Sequence, residues 1–255
     1  MLRDKLVEKR VGASTGFRWR NHEIARIEGF SDAVFAFAVT LLVVSLEVPH
    51  TYDELLHTMS GFLAFAFGFA LLLYVWFEQF KFFRRYGLQD AITLALNGVL
   101  LFVVLFFVYP LKFLFSLLTK AFSGYELAVH LPDGTAIPPI RPDQWQSLMT
   151  VYGMGYIAIF LVFALLYLYA FTRRRVLELS PIEEYDTKIG MRGHFINAGI
   201  GLLSVLIVVI GGSKVASWSG MMYMLVGPAM TLHGVLSRKG RPKLDESKAQ
   251  PEDNL

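Results

Sequence analysis

From Ala91 to Leu118 the chain meets a single charged side chain, Lys112, among residues that are otherwise apolar or weakly polar. A run of that length exceeds the roughly 20 residues needed to cross the hydrocarbon core of a bilayer. The feature recurs. Six such segments can be marked out, at about 30 to 48, 56 to 80, 91 to 118, 147 to 171, 194 to 211 and 216 to 236. The last two are diluted by Gly and Ser. More than half of the chain (55%) is hydrophobic, and its charges gather between the apolar runs instead of interleaving with them as in a soluble domain. Backbone groups in lipid must be paired within their own segment, so each run is expected to be a helix. The expected fold is all-α, a polytopic membrane protein with six transmembrane helices.

Lys and Arg orient these segments. The stretch before residue 29 carries Arg3, Lys5, Lys9, Arg10, Arg18, Arg20 and Arg26, and the second connection carries Lys81, Arg84 and Arg85. The fourth connection adds Arg173, Arg174, Arg175, Lys188 and Arg192, and the tail adds Arg238, Lys239, Arg241, Lys243 and Lys248. The opposite side has Lys112, Lys120, Arg141 and Lys214. The positive-inside rule then places both termini in the cytoplasm and requires an even number of crossings. Three regions follow: a basic N-terminal arm over 1–29, a six-helix membrane domain over 30–236, and a charged tail over 237–255 whose composition predicts disorder.

The arm lacks the apolar core and cleavage site of a secretory signal, and is expected to remain attached. Beside a membrane its charges serve topology or lipid headgroups, so membrane lipids are expected partners and nucleic acid is not. The external connection over 119–146 is rich in Pro and turn residues and reads as a compact surface loop.

Catalytic patterns are scarce. The chain has no cysteine, which removes disulfides and thiolate chemistry. His22 and Glu23 are followed by Arg26 where a zinc-protease helix needs a second His, and neither a GxSxG elbow nor a GxxxxGK[ST] loop occurs. An enzyme, a metal site and a bound cofactor are not expected. The segment VYGMGY (151–156) resembles a potassium-channel carbonyl filter superficially. It begins a continuous apolar run to Phe171 instead of sitting between a pore helix and a lining helix, so Gly153 and Gly155 read as close-packing positions. Small-residue stripes at Ser60, Ala64 and Gly68, and at Gly193, Asn197 and Gly201, read as packing faces as well.

The first segment is the exception. Arg26, Ser31 and Asp32 stand at its threshold, and a carboxylate drawn into hydrocarbon costs roughly 2.5 to 3.5 kcal/mol on insertion scales, so Asp32 requires a partner or water. Arg26 is the natural candidate. Further along, Phe37, Leu41, Val44 and Val48 share a helical stripe flanked by Thr40 and Glu47. Periodicity alone reads this stripe as bundle core or lipid face.

Arg26, Phe30, Ser31 and Asp32, running into AVFAFAVTLLVV, resemble the first helix of the transmembrane protein 175 family of potassium channels. The likeness is dense over 26–49 and extends more loosely to Trp76, to Asn97 and to the six-crossing layout. It implies a potassium channel in a bacterial plasma membrane, with potassium as the permeant ion and a single repeat assembling as a homotetramer. It implies further that the first helix lines the pore. Phe37, Leu41 and Val44 would then form apolar rings beside Thr40, with Glu47 at the outer mouth. Arg26, Phe30, Ser31 and Asp32 would form a structural network with Trp76 and Asn97. The family usually has Ile or Leu where Phe37 stands, and a His-rich stretch where this chain reads FEQFKFF after Trp76. Glu78, Gln79 or Lys81 are the candidates to replace that His. A proton-conducting channel, a non-conducting scaffold and a transporter are the competing readings.

Overall fold

The computed structural model describes residues 17–21, 23–44, 50–52, 56, 59, 62–122, 129–130 and 135–242. Helices dominate them: α1 (Arg26–Val44), α2 (Phe62–Tyr86), α3 (Ala91–Phe122), α4 (Trp145–Thr172), α5 (Pro181–Gly211), α6 (Ala216–Met221) and α7 (Val226–Lys239). The described part of the external loop contributes an antiparallel ladder of two-residue strands, β1 (Val129–His130) and β2 (Ala136–Ile137).

The helix ends follow local chemistry. Asp90 caps α3 by accepting the Thr93 N–H at 3.0 Å. Ser180 and Glu183 form a reciprocal capping box on α5, with Pro181 in the first turn. Gly87, at φ +60°, ends α2 in the left-handed conformation that glycine adopts without steric cost.

By length and composition α2, α3, α4 and α5 can each cross a bilayer. Several boundaries move from the sequence expectation. The first helix begins at Arg26, so its charged threshold is helical. Lys81, Arg84 and Arg85 belong to the last turns of α2, and Lys188 and Arg192 to α5, instead of to connections. The stretch expected as the sixth crossing is divided: α6 and α7 are joined through a 3-10 turn over Met222–Leu225. The tail expected from 237 begins later, because α7 continues to Lys239 and Arg241 holds Asp186 of α5. Residues 1–16 of the arm and 243–255 of the tail lie outside the described residues.

The core is aromatic. Phe82, Phe83, Tyr86, Phe163, Leu166 and Tyr167 are fully buried between α2 and α4, and the Tyr86 hydroxyl meets Thr187 Oγ1 of α5 at 2.8 Å. The α4 and α5 helices pack most extensively. A Cβ at Gly153 would stand 2.3 Å from Val205 of α5, and one at Gly155 would stand 2.2 Å from Phe107 of α3, so both glycines serve close approach. Asn197 donates to the Gly193 carbonyl and accepts from the Tyr156 hydroxyl at 2.8 Å, which joins that stripe to α4. Gly68 faces Leu42 of α1. Ser60 and the side chain of Ala64, the rest of its stripe, lie outside the described residues.

Candidate functional site

Before α1 the chain is an extended strap. Phe17 buries its ring edge-on against Tyr86, and Arg20 reaches across to Glu183 at the start of α5, with Nη1 and Nη2 at 3.1 and 2.7 Å from the two carboxylate oxygens. Glu183 is fully buried and also accepts the Arg18 N–H, at 2.8 Å. A two-pronged guanidinium fixes direction as well as distance. The strap therefore delivers α1 in a set orientation.

A second clamp lies in the first turn of α1. Glu28 accepts hydrogen bonds from Asn21 Nδ2 and the Ala25 N–H, and its Oε2 lies 3.7 Å from Arg84 Nε of α2. Arg84 in turn donates to the Asn21 carbonyl at 3.1 Å and lies over the Phe80 ring.

Above these clamps runs a buried polar lattice. Ser31 Oγ donates to the Ile27 carbonyl at 2.7 Å, Asn97 Nδ2 of α3 donates to Ser31 Oγ at 2.9 Å, and Gln79 Nε2 of α2 donates to Asn97 Oδ1 at 2.7 Å. All three side chains are essentially buried. The lattice ties α1 to both of its neighbours through directional bonds, and each amide is satisfied, as burial requires. Asp32, one residue on, faces outward and accepts the Trp76 indole N–H at 2.7 Å. Trp76, not Arg26, is thus the partner of Asp32 within the protomer. Arg26 is exposed and makes no ion pair among the described residues.

Beyond the lattice α1 has two unlike faces. Phe35, Ala38 and Leu42 are buried in the bundle, whereas Ala33, Ala36, Phe37 and Thr40 are exposed, Phe37 by 55%. Phe30 lies on the same open side, and Thr40 Oγ1 donates back to the Ala36 carbonyl at 2.9 Å. Leu41 is half-buried and packs against the core. The stripe drawn from the sequence is therefore divided: Phe37 and Thr40 point out, while Leu41 turns partly inward. Glu47 and Val48 lie outside the described residues, as does the side chain of Val44.

Gln79, among the residues suggested to replace the family His, is the one that completes the lattice. Glu78 and Lys81 face elsewhere: they pair with each other at 2.6 Å, and His194 Nε2 of α5 lies 3.9 Å from Glu78. The clamps through Arg20, Glu28 and Glu183 were not marked from the sequence. The Ser180 to Glu183 spacing ahead of an apolar run is a readable capping signal, but nothing local announces that Arg20 would share the same carboxylate.

Three similarities accompany this geometry. The pattern of the family described as "Endosomal/lysosomal potassium channel TMEM175" matches residues 26–107. A potassium channel of Marivirga tractuosa is 38% identical over 246 residues, which cover 95% of this chain and 99% of that protein. The crystal structure of a variant of the potassium channel MtTMEM175, bound to a nanobody fusion protein, superposes with a TM-score of 0.79 at 37% identity, covering 90% of this chain and 100% of the other. A crystal structure of a TMEM175 homolog from Chamaesiphon minutus, at 24% identity and a TM-score of 0.50 over 88% of this chain and 98% of that one, shares the fold.

Proposed function

Because the chain belongs to the TMEM175 family of potassium channels, we propose that it assembles as a homotetramer whose α1 helices line a potassium-permeable pore. The observation that carries this reading is the contrast between the two sides of α1. One side is bolted to α2 and α3 through Ser31, Asn97 and Gln79, while the other presents Phe37 and Thr40 outside the protomer's own packing.

Four copies of Phe37 around an axis make an apolar ring. A ring narrower than a hydrated ion empties of water and closes, and a modest helix movement that widens it restores conduction. Selection then rests on the cost of partial dehydration, which is lower for potassium than for the smaller sodium ion. Leu41 and Val44 extend the apolar stretch, Thr40 offers a hydroxyl beside it, and Glu47 raises the local cation concentration at the outer mouth. Ser31, Asp32, Trp76 and Asn97 hold the base of the pore helix in place, and Arg26 and Phe30, exposed in the single protomer, would join that network only against a neighbouring copy.

In the same reading the chain crosses a bacterial plasma membrane six times, with both termini in the cytoplasm and lipids around the bundle. The basic strap, the end of α2 and the end of α7 gather at one end, in keeping with the positive-inside rule. The test is potassium-driven flux in proteoliposomes for wild type and Phe37→Asn. The polar ring stays wet and raises the flux. Conduction by neither protein removes the pore assignment, and flux carried by a pH gradient without potassium identifies protons as the permeant species.

A further inference from the structure

Away from α1, the basic end of the molecule holds a cavity of about 400 Å³ bounded by α2, α4, α5 and α7. That volume falls within the range of small-ligand sites. Four cations line it, Lys81, Arg85, Arg238 and Arg241, against two carboxylates, Glu78 and Asp186. Both carboxylates are neutralised from within. Lys81 Nζ lies 2.6 Å from Glu78 Oε1, and Arg241 grips Asp186 through Nε and Nη2 at 3.0 and 2.6 Å. His194 also approaches Glu78, from 3.9 Å.

Arg85 and Arg238 pair with no carboxylate among the described residues, which leaves two guanidinium charges of one sign over the cavity. The Arg85 guanidinium lies 4.8 Å from the centre of the Phe17 ring and also hydrogen-bonds Tyr167, contacts that leave its charge without a counter-anion. The lining also includes the aromatic and apolar side chains of Tyr74, Tyr167 and Met230. Guanidinium groups match the oxygens of a phosphate with paired N–H donors. Basic pockets between helices at the cytoplasmic edge of a membrane are suited to phosphorylated headgroups.

We propose that this cavity binds a phosphate-bearing anion, supplied either by an anionic phospholipid headgroup or by free phosphate. Binding there does not require α1 to line a pore.

The test uses the full-length protein in phosphatidylcholine nanodiscs, in nanodiscs containing phosphatidylglycerol, and in phosphatidylcholine with added inorganic phosphate, each unfolded thermally. Phosphatidylglycerol, inorganic phosphate or both raise the unfolding midpoint over phosphatidylcholine alone, because a ligand of the folded state stabilises it. A rise with phosphatidylglycerol alone identifies a headgroup, and a rise with inorganic phosphate identifies the phosphate group itself as sufficient. Replacing Arg85→Gln and Arg238→Gln together weakens apparent binding roughly fivefold for each arginine removed, while the corresponding pair of Lys replacements retains most of it. The midpoint of each variant in phosphatidylcholine reports its folding separately. Arg238→Gln alone, at an exposed position, carries the test if the double variant does not fold. A midpoint unmoved by either phosphate source, or a shift that is undiminished in the double variant or in Arg238→Gln, overturns the site.

Discussion

The indole N–H of Trp76 lies 2.7 Å from Asp32 Oδ1, so the outward carboxylate of α1 is held by an aromatic donor from α2. At this solvent-exposed site the bond contributes about 0.5–1.5 kcal/mol, the net value of an ordinary intramolecular hydrogen bond. Trp76→Phe keeps most of the ring packing on Phe80 and removes the donor. It is expected to lower stability by an amount of that order, whereas Asp32→Asn, which keeps an acceptor oxygen, costs less. Thermal unfolding of both variants in one detergent ranks them, and the reverse order would mean that the aspartate charge matters more than the bond.

Asn97 offers a sharper case because it bonds on both sides. Asn97→Leu leaves the buried Gln79 amide without its acceptor, at about 1–3 kcal/mol, while Ser31 loses the Asn97 bond but keeps its own to the Ile27 carbonyl. Pairing Ser31→Ala with Asn97→Ala should give a cost smaller than the sum of the single changes, since the members of one network couple. Additive costs would show that the lattice does not act as a unit.

At the strap, Glu183→Gln removes a fully buried charge while Arg20 remains beside it. Breaking one side of a buried ion pair costs about 3–5 kcal/mol. The strap should also loosen from α5, which limited proteolysis between residues 17 and 25 detects as faster cleavage. Unchanged cleavage would separate the stability of α5 from the seating of the strap.

The cap of α3 supplies a pH dependence. Partial desolvation raises the Asp90 pKa, but hydrogen bonds from the Thr93 backbone and the Tyr169 hydroxyl outweigh it and hold the carboxyl below its ordinary value. A depressed carboxylate contributes its stability above the unfolded pKa, about 3.9, and loses it as pH falls through the lower folded value. Wild type and Asp90→Asn should therefore differ most near neutrality and converge below about pH 4. Thermal unfolding across that range checks it, and a constant gap would assign the cap to geometry alone.

Gly155→Val tests close packing, since its Cβ would fall 2.2 Å from the Phe107 ring. Overpacking of this kind costs about 1–3 kcal/mol. Phe107→Ala in the same chain should recover part of the loss, as unfolding of the single and double variants would reveal.

Helix class and the placement of long spans were legible because hydrocarbon leaves the backbone few choices, and the uncharged run around Ala91–Leu118 states that directly. The lattice was half legible. Ser31 and Asn97 are conspicuous as polar residues in apolar segments, and the family resemblance named both, but the link through Gln79 depends on the rotation of α2 against α3, which no local pattern encodes. The division of the 37 to 44 stripe has a similar cause. A helical wheel groups Phe37 with Leu41, and only the position of α2 and α3 decides which of them the bundle covers. The pairing of Arg20 with Glu183, far apart in sequence, had no signal of its own. The broken C-terminal stretch was foreshadowed by its Gly and Ser content, which weakens any single continuous helix.

The two clamps at the start of α1 restrict its mechanics. Arg20 and Glu28 fasten the approach and first turn to α5 and α2, and Ser31 is fastened to α3 just beyond. A rod held at its foot cannot slide along its own axis. Beyond the clamps Phe35, Ala38 and Leu42 are buried in the bundle and Leu42 lies against Gly68 of α2, so any sideways movement of α1 has to open that packing as well.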